Sequence, residues 1–146
     1  MITVVKAAPH HASAMHIIEV LSFPDPWSVS SLEHEIANTS ALCLVALEHD
    51  LVLGHISMRH IIDEGHINNI AVAQAHRQKG VGSLLLEALI QGAEALHITG
   101  LTLEARANNA PALNLYKKYG FAIAGHRKNF YTQPTEDAVI MWKIMR

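Results

Sequence analysis

A chain of 146 residues, half of them apolar and 16% charged, is long enough to bury one core without disulfide or metal staples and is neither disordered nor a coiled coil. Its net charge of −2, with 11 Lys+Arg against 13 Asp+Glu, argues against binding that depends on neutralising many phosphates, so no direct nucleic-acid partner is expected. The single cysteine excludes an internal disulfide, and no run reaches the ~18 apolar residues of a membrane span. Met1–Val5 also lacks the charged start and apolar core of a signal peptide, so no membrane partner and a cytoplasmic location are expected.

Ile2–Lys6 is short and β-branched and reads as a first strand, closed by Pro9. A helix follows, with Met15, Ile18, Leu21 and Ser22 on its inner side and His10 and His11 near its start. Phe23-Pro24-Asp25-Pro26-Trp27 stops it. Ser28 or Ser30 can cap a second short helix over 31–37, ending at Asn38. Residues 41–48 and 52–62 are β-rich and are separated by Glu48-His49-Asp50, the spacing of a hairpin. Cys43 lies within the first of them and reads as an inert core thiol. Asp63-Glu64-Gly65 turns the chain into a third strand over 66–72. Alternation fails there at Asn68 and Asn69, and two consecutive amides inside a strand predict a bulge that frees backbone groups from the ladder.

That strand runs into a basic loop with two glycines and then into a helix whose stripe is Val81, Leu84, Leu85, Ala88, Leu89, Gly92 and Leu96, ended by Gly100. Leu101–Arg106 alternates as a strand, and the order strand, loop, helix, strand implies a right-handed crossover between parallel strands. Asn109 caps another helix through Tyr119, with Pro111 in its first turn and Gly120 after its last. Residues 121–125 and 138–144 form two more strands, joined by a loop over 127–137. With no internal repeat or linker, one α+β domain is expected over 1–146. It has a mixed, mostly antiparallel sheet of about seven strands with helices on both faces.

The loop from Arg77 to Gly82 has the properties of an anion site. Glycines permit tight turns and close approach of a ligand, and the first turn of a helix presents unpaired N–H groups at the positive end of the macrodipole. Neither Gly-Lys-[Ser/Thr] nor Gly-x-Gly-x-x-Gly is present, so the P-loop and the Rossmann fingerprint are excluded.

Arg77-x-x-Gly80-x-Gly82, preceded by the bulged strand, strongly resembles the pyrophosphate loop of the GNAT acyl-CoA-dependent N-acetyltransferases. Asn109-Ala110-Pro111-Ala112-Leu113-Asn114-Leu115-Tyr116, followed by Tyr119-Gly120-Phe121, resembles a second segment of that family. More narrowly, Pro26-Trp27-Ser28, Asn69-Ile70-Ala71-Val72, Leu103 to Asn109 and Glu136-Asp137-Ala138 resemble the subgroup that acetylates the N-terminal alanine of ribosomal proteins. The likeness covers most of the chain. It implies acetyl-CoA as co-substrate, held by Ile70, Ala71, Val72, Arg77, Gln78, Lys79, Gly80, Val81, Gly82, Ser83, Asn109 and Tyr116. It also implies a protein N-terminus as acceptor and a monomer or weak dimer. Trp27, Asn68, Asn69 and Tyr131 are then the substrate-binding residues. Asn68 replaces an expected apolar or aromatic residue and Phe130 an expected tyrosine, and the turn over 132–136 is short. These departures fall on the acceptor side, which would be assembled from the first helices, the Asp63-Glu64 turn and the Phe130 loop.

An amine attacks a thioester only as the free base, and an α-amine, with a pKa of about 7.7–8.0, loses its proton more readily than lysine at about 10.4. A modest base therefore suffices. Alternation places Glu104 with Thr102 and Arg106 opposite Leu101, Leu103 and Ala105, and burial between the helical layers would raise its pKa towards the useful range, acting directly or through water. Backbone N–H groups near Ile70 and Val72 can meet the developing oxyanion, and the departing thiolate needs only the weak acid that Tyr116 provides. On periodicity alone Glu104 is a solvent-facing strand residue and Tyr116 a core residue of an amphipathic helix; the matched motifs reverse that preference. The 11 histidines show no ligand spacing, and His55, His60 and His66 are spread along strands, so no catalytic metal is expected, although a histidine there can assist as a base. Lysine side chains or a small amine remain an alternative acceptor, and a regulatory acyl-CoA-binding module without turnover remains an alternative class.

Overall fold

Residues 1–145 are described by the computed structural model. Its strands are β1 (Ile2–Lys6), β2 (Ala41–Glu48), β3 (Leu51–Ile61), β4 (Glu64–Val72), β5 (Gly100–Arg106), β6 (Ala122–Thr132) and β7 (Thr135–Ile144). They form one sheet in the order β1-β2-β3-β4-β5-β7-β6, antiparallel except where β4 meets β5. The helices are α1 (Ala12–Ser22), α2 (Val29–Ala37), α3 (Val81–Ala95) and α4 (Ala110–Lys118).

Alternation along the central strands sends neighbouring side chains to opposite layers. Val45, Val52 and Ala71 pack with Ala12, Met15, Ile18 and Leu32 under α1 and α2, while Leu44, Ala46, Leu53 and Ile56 pack with Leu85, Leu86 and Leu89 of α3. Ser28 begins α2 by accepting a bond from the Ser31 N–H, and Asn109 begins α4 by accepting one from the Ala112 N–H.

Several sequence expectations shift by a face or a turn. Leu21 is 72% exposed, because it lies six residues after Met15 and so ~120° round the helix from it; Glu19 takes the inward place. On α3 the buried stripe runs through Leu86 and Ala93 rather than Leu84 and Leu96, which are exposed. That helix ends at Ala95, with His97 taking a positive φ, and Gly100 instead opens β5 against the Trp142 ring. The segment 127–137 is not a loop: β6 reaches Thr132 and β7 starts at Thr135. A register shift between Arg127 and Tyr131 breaks the alternation by which the strand would have been read.

The feature that positions the site is a split in the sheet. β4 pairs with β5 only from Glu64 to His66, against Gly100 to Thr102. On the other side of β4, Ser57 pairs with Asn69 and Met58 with Ile67, so Asn68 is the extra residue of a bulge, as its sequence predicts. A bulge increases twist and bends the strand, and beyond it β4 and β5 have no ladder between them.

Candidate active site

The split opens into a cleft of about 840 Å³, a size suited to a ligand site. Asn68, Asn69 and Ile70 of β4 form one wall and Glu104 and Arg106 of β5 the other. Trp27 with Phe23 stands at one lip, Phe130 with Tyr131 at the other, and Asn109 and Tyr116 lie along the α4 side. The tertiary structure thus gathers Glu104, Tyr116, Asn109, Trp27, Asn68, Asn69, Ile70 and Tyr131 into one cavity. The Asp63-Glu64 turn is not among the residues lining it: the Asp63 carbonyl and carboxylate instead accept bonds from Thr99.

Gln78, Lys79, Gly80, Gly82 and Ser83 lie outside the cleft walls, at the start of α3. Gly80 has φ +82° with open space where a Cβ would stand, no side chain caps the helix, and the first helical bond is Leu84 N–H to the Gly80 carbonyl. The preceding N–H groups of Val81, Gly82 and Ser83 are therefore available to an anion. A Cβ on Gly82 would lie 3.4 Å from Leu115 Cδ2, which places this helix start beside α4 and the cleft. These features fit a diphosphate. The Val81 side chain is core and the Ala71 side chain packs under α1, so only their backbones can face a ligand. Arg77 is occupied as a brace: Nε donates to the Val72 carbonyl at 3.0 Å and Nη2 to Ser22 Oγ at 3.3 Å.

Glu104 has a 19% exposed side chain, and its Oε2 lies 2.5 Å from His66 Nε2. Tyr116 is buried edge-to-face against Phe121, and burial, reinforced by Tyr131, pushes its phenol above the ordinary range. Such a phenol keeps its proton and can donate it. Tyr131 lies on β6 rather than in a loop, under the Arg106 guanidinium at 4.4 Å, and burial followed by the nearby Glu104 raises its phenol. Arg106 also donates to the Pro134 and Gln133 carbonyls and to Glu136, clamping the β6–β7 turn that carries this lip.

Two buried carboxylates organise the bulge. Glu19 accepts from the Trp27 N–H at 3.1 Å and from Asn69 Nδ2 at 2.6 Å. His55 Nε2 is 3.3 Å from Glu19 but off the hydrogen-bond line, and it has no other partner. Glu35 is held by the Arg59 guanidinium and accepts from Asn68 Nδ2 at 3.2 Å. The only sequence sign of either was a glutamate on an apolar helix face, Glu19 beside Met15 and Ile18, and Glu35 beside Leu32. Cys43 is buried, and its thiol is pushed up to about 12, by burial first and then by Glu35. No cluster of metal-ligating side chains occurs among the described residues, and no helix there is long and apolar enough to cross a membrane.

A bulged strand splayed from its parallel neighbour stands beside an uncapped helix start, and the chain belongs to the acetyltransferase (GNAT) family, whose model matches residues 12–121. Among its relatives, the [ribosomal protein bS18]-alanine N-acetyltransferase of Haemophilus influenzae is 34% identical over 80% of each chain. The enzyme of that name from Salmonella typhimurium is 43% identical over 56% of each. The crystal structure of the ribosomal-protein-S18-alanine N-acetyltransferase from Escherichia coli superposes with a TM-score of 0.91 at 31% identity, covering 99% of this chain and 94% of that one.

Proposed function

We infer that the protein transfers the acetyl group of acetyl-CoA to the N-terminal α-amine of an alanine-starting ribosomal protein, bS18 being the substrate named for its relatives. The observation that carries this reading is the cleft between β4 and β5, which holds a carboxylate and a buried phenol between two aromatic lips. A chain terminus can enter such a cleft end-on, with its α-amine leading.

Acetyl-CoA supplies the activated acetyl thioester. The N–H groups of Val81, Gly82 and Ser83 bind its diphosphate, and Asn109 and Tyr116 line the approach to the sulfur. Beyond His66 the β5-facing edge of β4 lacks a ladder, so backbone N–H groups near Ile70 and Val72 are free to stabilise developing negative charge on the carbonyl oxygen. Glu104 takes a proton from the acceptor amine and Tyr116 gives one to the departing sulfur. Trp27 and Tyr131 flank the entering peptide, while Asn68 and Asn69, their side-chain amides held by Glu35, His66 and Glu19, form the wall beside its first residues.

The test offers acetyl-CoA with two peptides, one with a free N-terminal alanine and the other with a blocked N-terminus and an internal lysine. Acetylation of the free-terminus peptide alone is expected. Acetylation only of the blocked peptide would move the acceptor to lysine, and thiol release unaffected by Glu104→Gln and Tyr116→Phe would remove the assigned chemistry.

A further inference from the structure

The polar chain Arg59–Glu35–Asn68–His66–Glu104 leads from α2 across the bulge to the cleft, and its donors and acceptors can be assigned one by one. The Glu35 carboxylate, bound by the Arg59 guanidinium, can only accept. Asn68 must therefore turn Nδ2 towards Glu35, which leaves Oδ1 facing His66 Nδ1 at 3.0 Å. An amide oxygen only accepts, so Nδ1 of His66 carries a hydrogen. The other ring nitrogen, Nε2, then points at Glu104 Oε2, where its lone pair and the carboxylate repel each other unless a proton lies between them.

We propose that His66 and Glu104 act as one base, a pair that holds a shared proton at rest, accepts the acceptor amine's proton once the shared one has left, and returns it to solvent through His66. Resting on the acceptor assignment above, this names a positioning residue for the same cleft, one that does not line it and acts through Glu104. Exposure favours the exit route, since the His66 side chain is 42% accessible and that of Glu104 19%. Other charged or titratable groups face the pair from every side. They are Glu35 and Arg59 beyond Asn68, Arg106 beside Glu104 on β5, Tyr131 on β6, and Glu136 on β7 beyond Arg106; Glu19 lies across the bulge behind Asn69.

The step balances. In the ready state Glu104 is a carboxylate and His66 is neutral with its hydrogen on Nδ1. The entering ammonium gives one proton to the pair, its nitrogen forms a bond to the acetyl carbon, and the carbon–sulfur bond breaks with its electrons going to sulfur. Sulfur gains the second proton that nitrogen loses, by way of Tyr116. The pair's proton leaves to water, so one ammonium and one thioester become one amide, one thiol and one released proton.

Because the ready state requires loss of the shared proton, kcat rises with pH as that proton leaves. His66→Gln leaves Glu104 alone beside an amide. Its kcat on the alanine peptide should fall at least about tenfold with KM unchanged, and its rising limb should move to lower pH. Asn68→Leu keeps the imidazole but frees it to carry its hydrogen on Nε2, so its limb should move the same way. Circular dichroism and coenzyme A binding establish that each variant is folded. A wild-type rate and pH curve in folded His66→Gln would overturn the proposal. A second measurement needs no acceptor: nitrogen-15 spectra of the His66 ring should show hydrogen on both nitrogens in the wild type at the pH of the resting state, and on one in Asn68→Leu. Hydrogen on Nε2 alone in the wild type would also overturn it. If the wild type acetylates no free-amine peptide, the acceptor assignment fails, and the ring spectra still decide the pair.

Discussion

Fifty positions apart in the chain, Glu19 and Asn69 meet at 2.6 Å, and the same carboxylate holds the backbone of Trp27. One buried side chain thereby fixes both a lip of the cleft and the bulge that opens it. Glu19→Leu strands the Asn69 amide and the Trp27 N–H, and it should lower unfolding free energy by about 2–4 kcal/mol while raising the peptide KM. Urea denaturation checks the first effect, and a loss under about 1 kcal/mol would show that the contact does not organise the site.

Removing the proposed proton acceptor or the proposed donor should act on kcat rather than on folding. Glu104→Gln is expected to cost a factor of about 10²–10³ in kcat and Tyr116→Phe about tenfold, with the acetyl-CoA KM little changed. Since burial raises the Tyr116 phenol, it stays protonated through the working range, and kcat should show no alkaline fall from its ionisation up to about pH 10. A falling limb near neutrality that Tyr116→Phe abolishes would contradict the assignment of Tyr116 as donor.

The helix start makes a different demand. Gly80 sits at φ +82°, where a β-branched residue is strained by about 1–2 kcal/mol. Gly80→Val should raise the acetyl-CoA KM several-fold and leave the peptide KM alone. Arg77→Ala should do little to either, because its guanidinium is spent on Val72 and Ser22. Steady-state kinetics with each substrate varied in turn separates the two variants, and a larger effect from Arg77→Ala would reverse their ranking.

Alkaline stability has a predictable shape. Cys43 is raised from 9.0 to about 12 by burial, so between those values the unfolded chain binds fewer protons than the folded one, and stability falls as pH rises. The contribution is fully present below about pH 9 and is lost progressively towards 12. Cys43→Ala should flatten this decline by up to about 1.4 kcal/mol per pH unit. Thermal unfolding at pH 8, 9, 10 and 11 reads it, and parallel curves for the two proteins would exclude the thiol as the cause.

The sequence by itself determined the elements whose signal is local. The bulge at Asn68-Asn69, the glycine loop, a cap at Ser28 or Ser30, the cap at Asn109 and the parallel crossover into Leu101–Arg106 all follow from alternation, capping chemistry and chain order, and the structure chooses Ser28. The resemblance carried by the loop and by the Asn109–Phe121 segment is local in the same way, and the family match over residues 12–121 agrees with it. Only the tertiary structure decided what surrounds the chemistry. It gave the inward-facing Glu19 and Glu35 their partners, because helical spacing can put a glutamate on the inner face without saying which side chains of the sheet meet it there. It also carried β6 through Tyr131 across an irregular register and set His66 against Glu104, 38 positions away. Hydrogen-bond partners between distant segments leave no periodic trace in a sequence, whereas a glycine loop and the helix that follows it are local features and do.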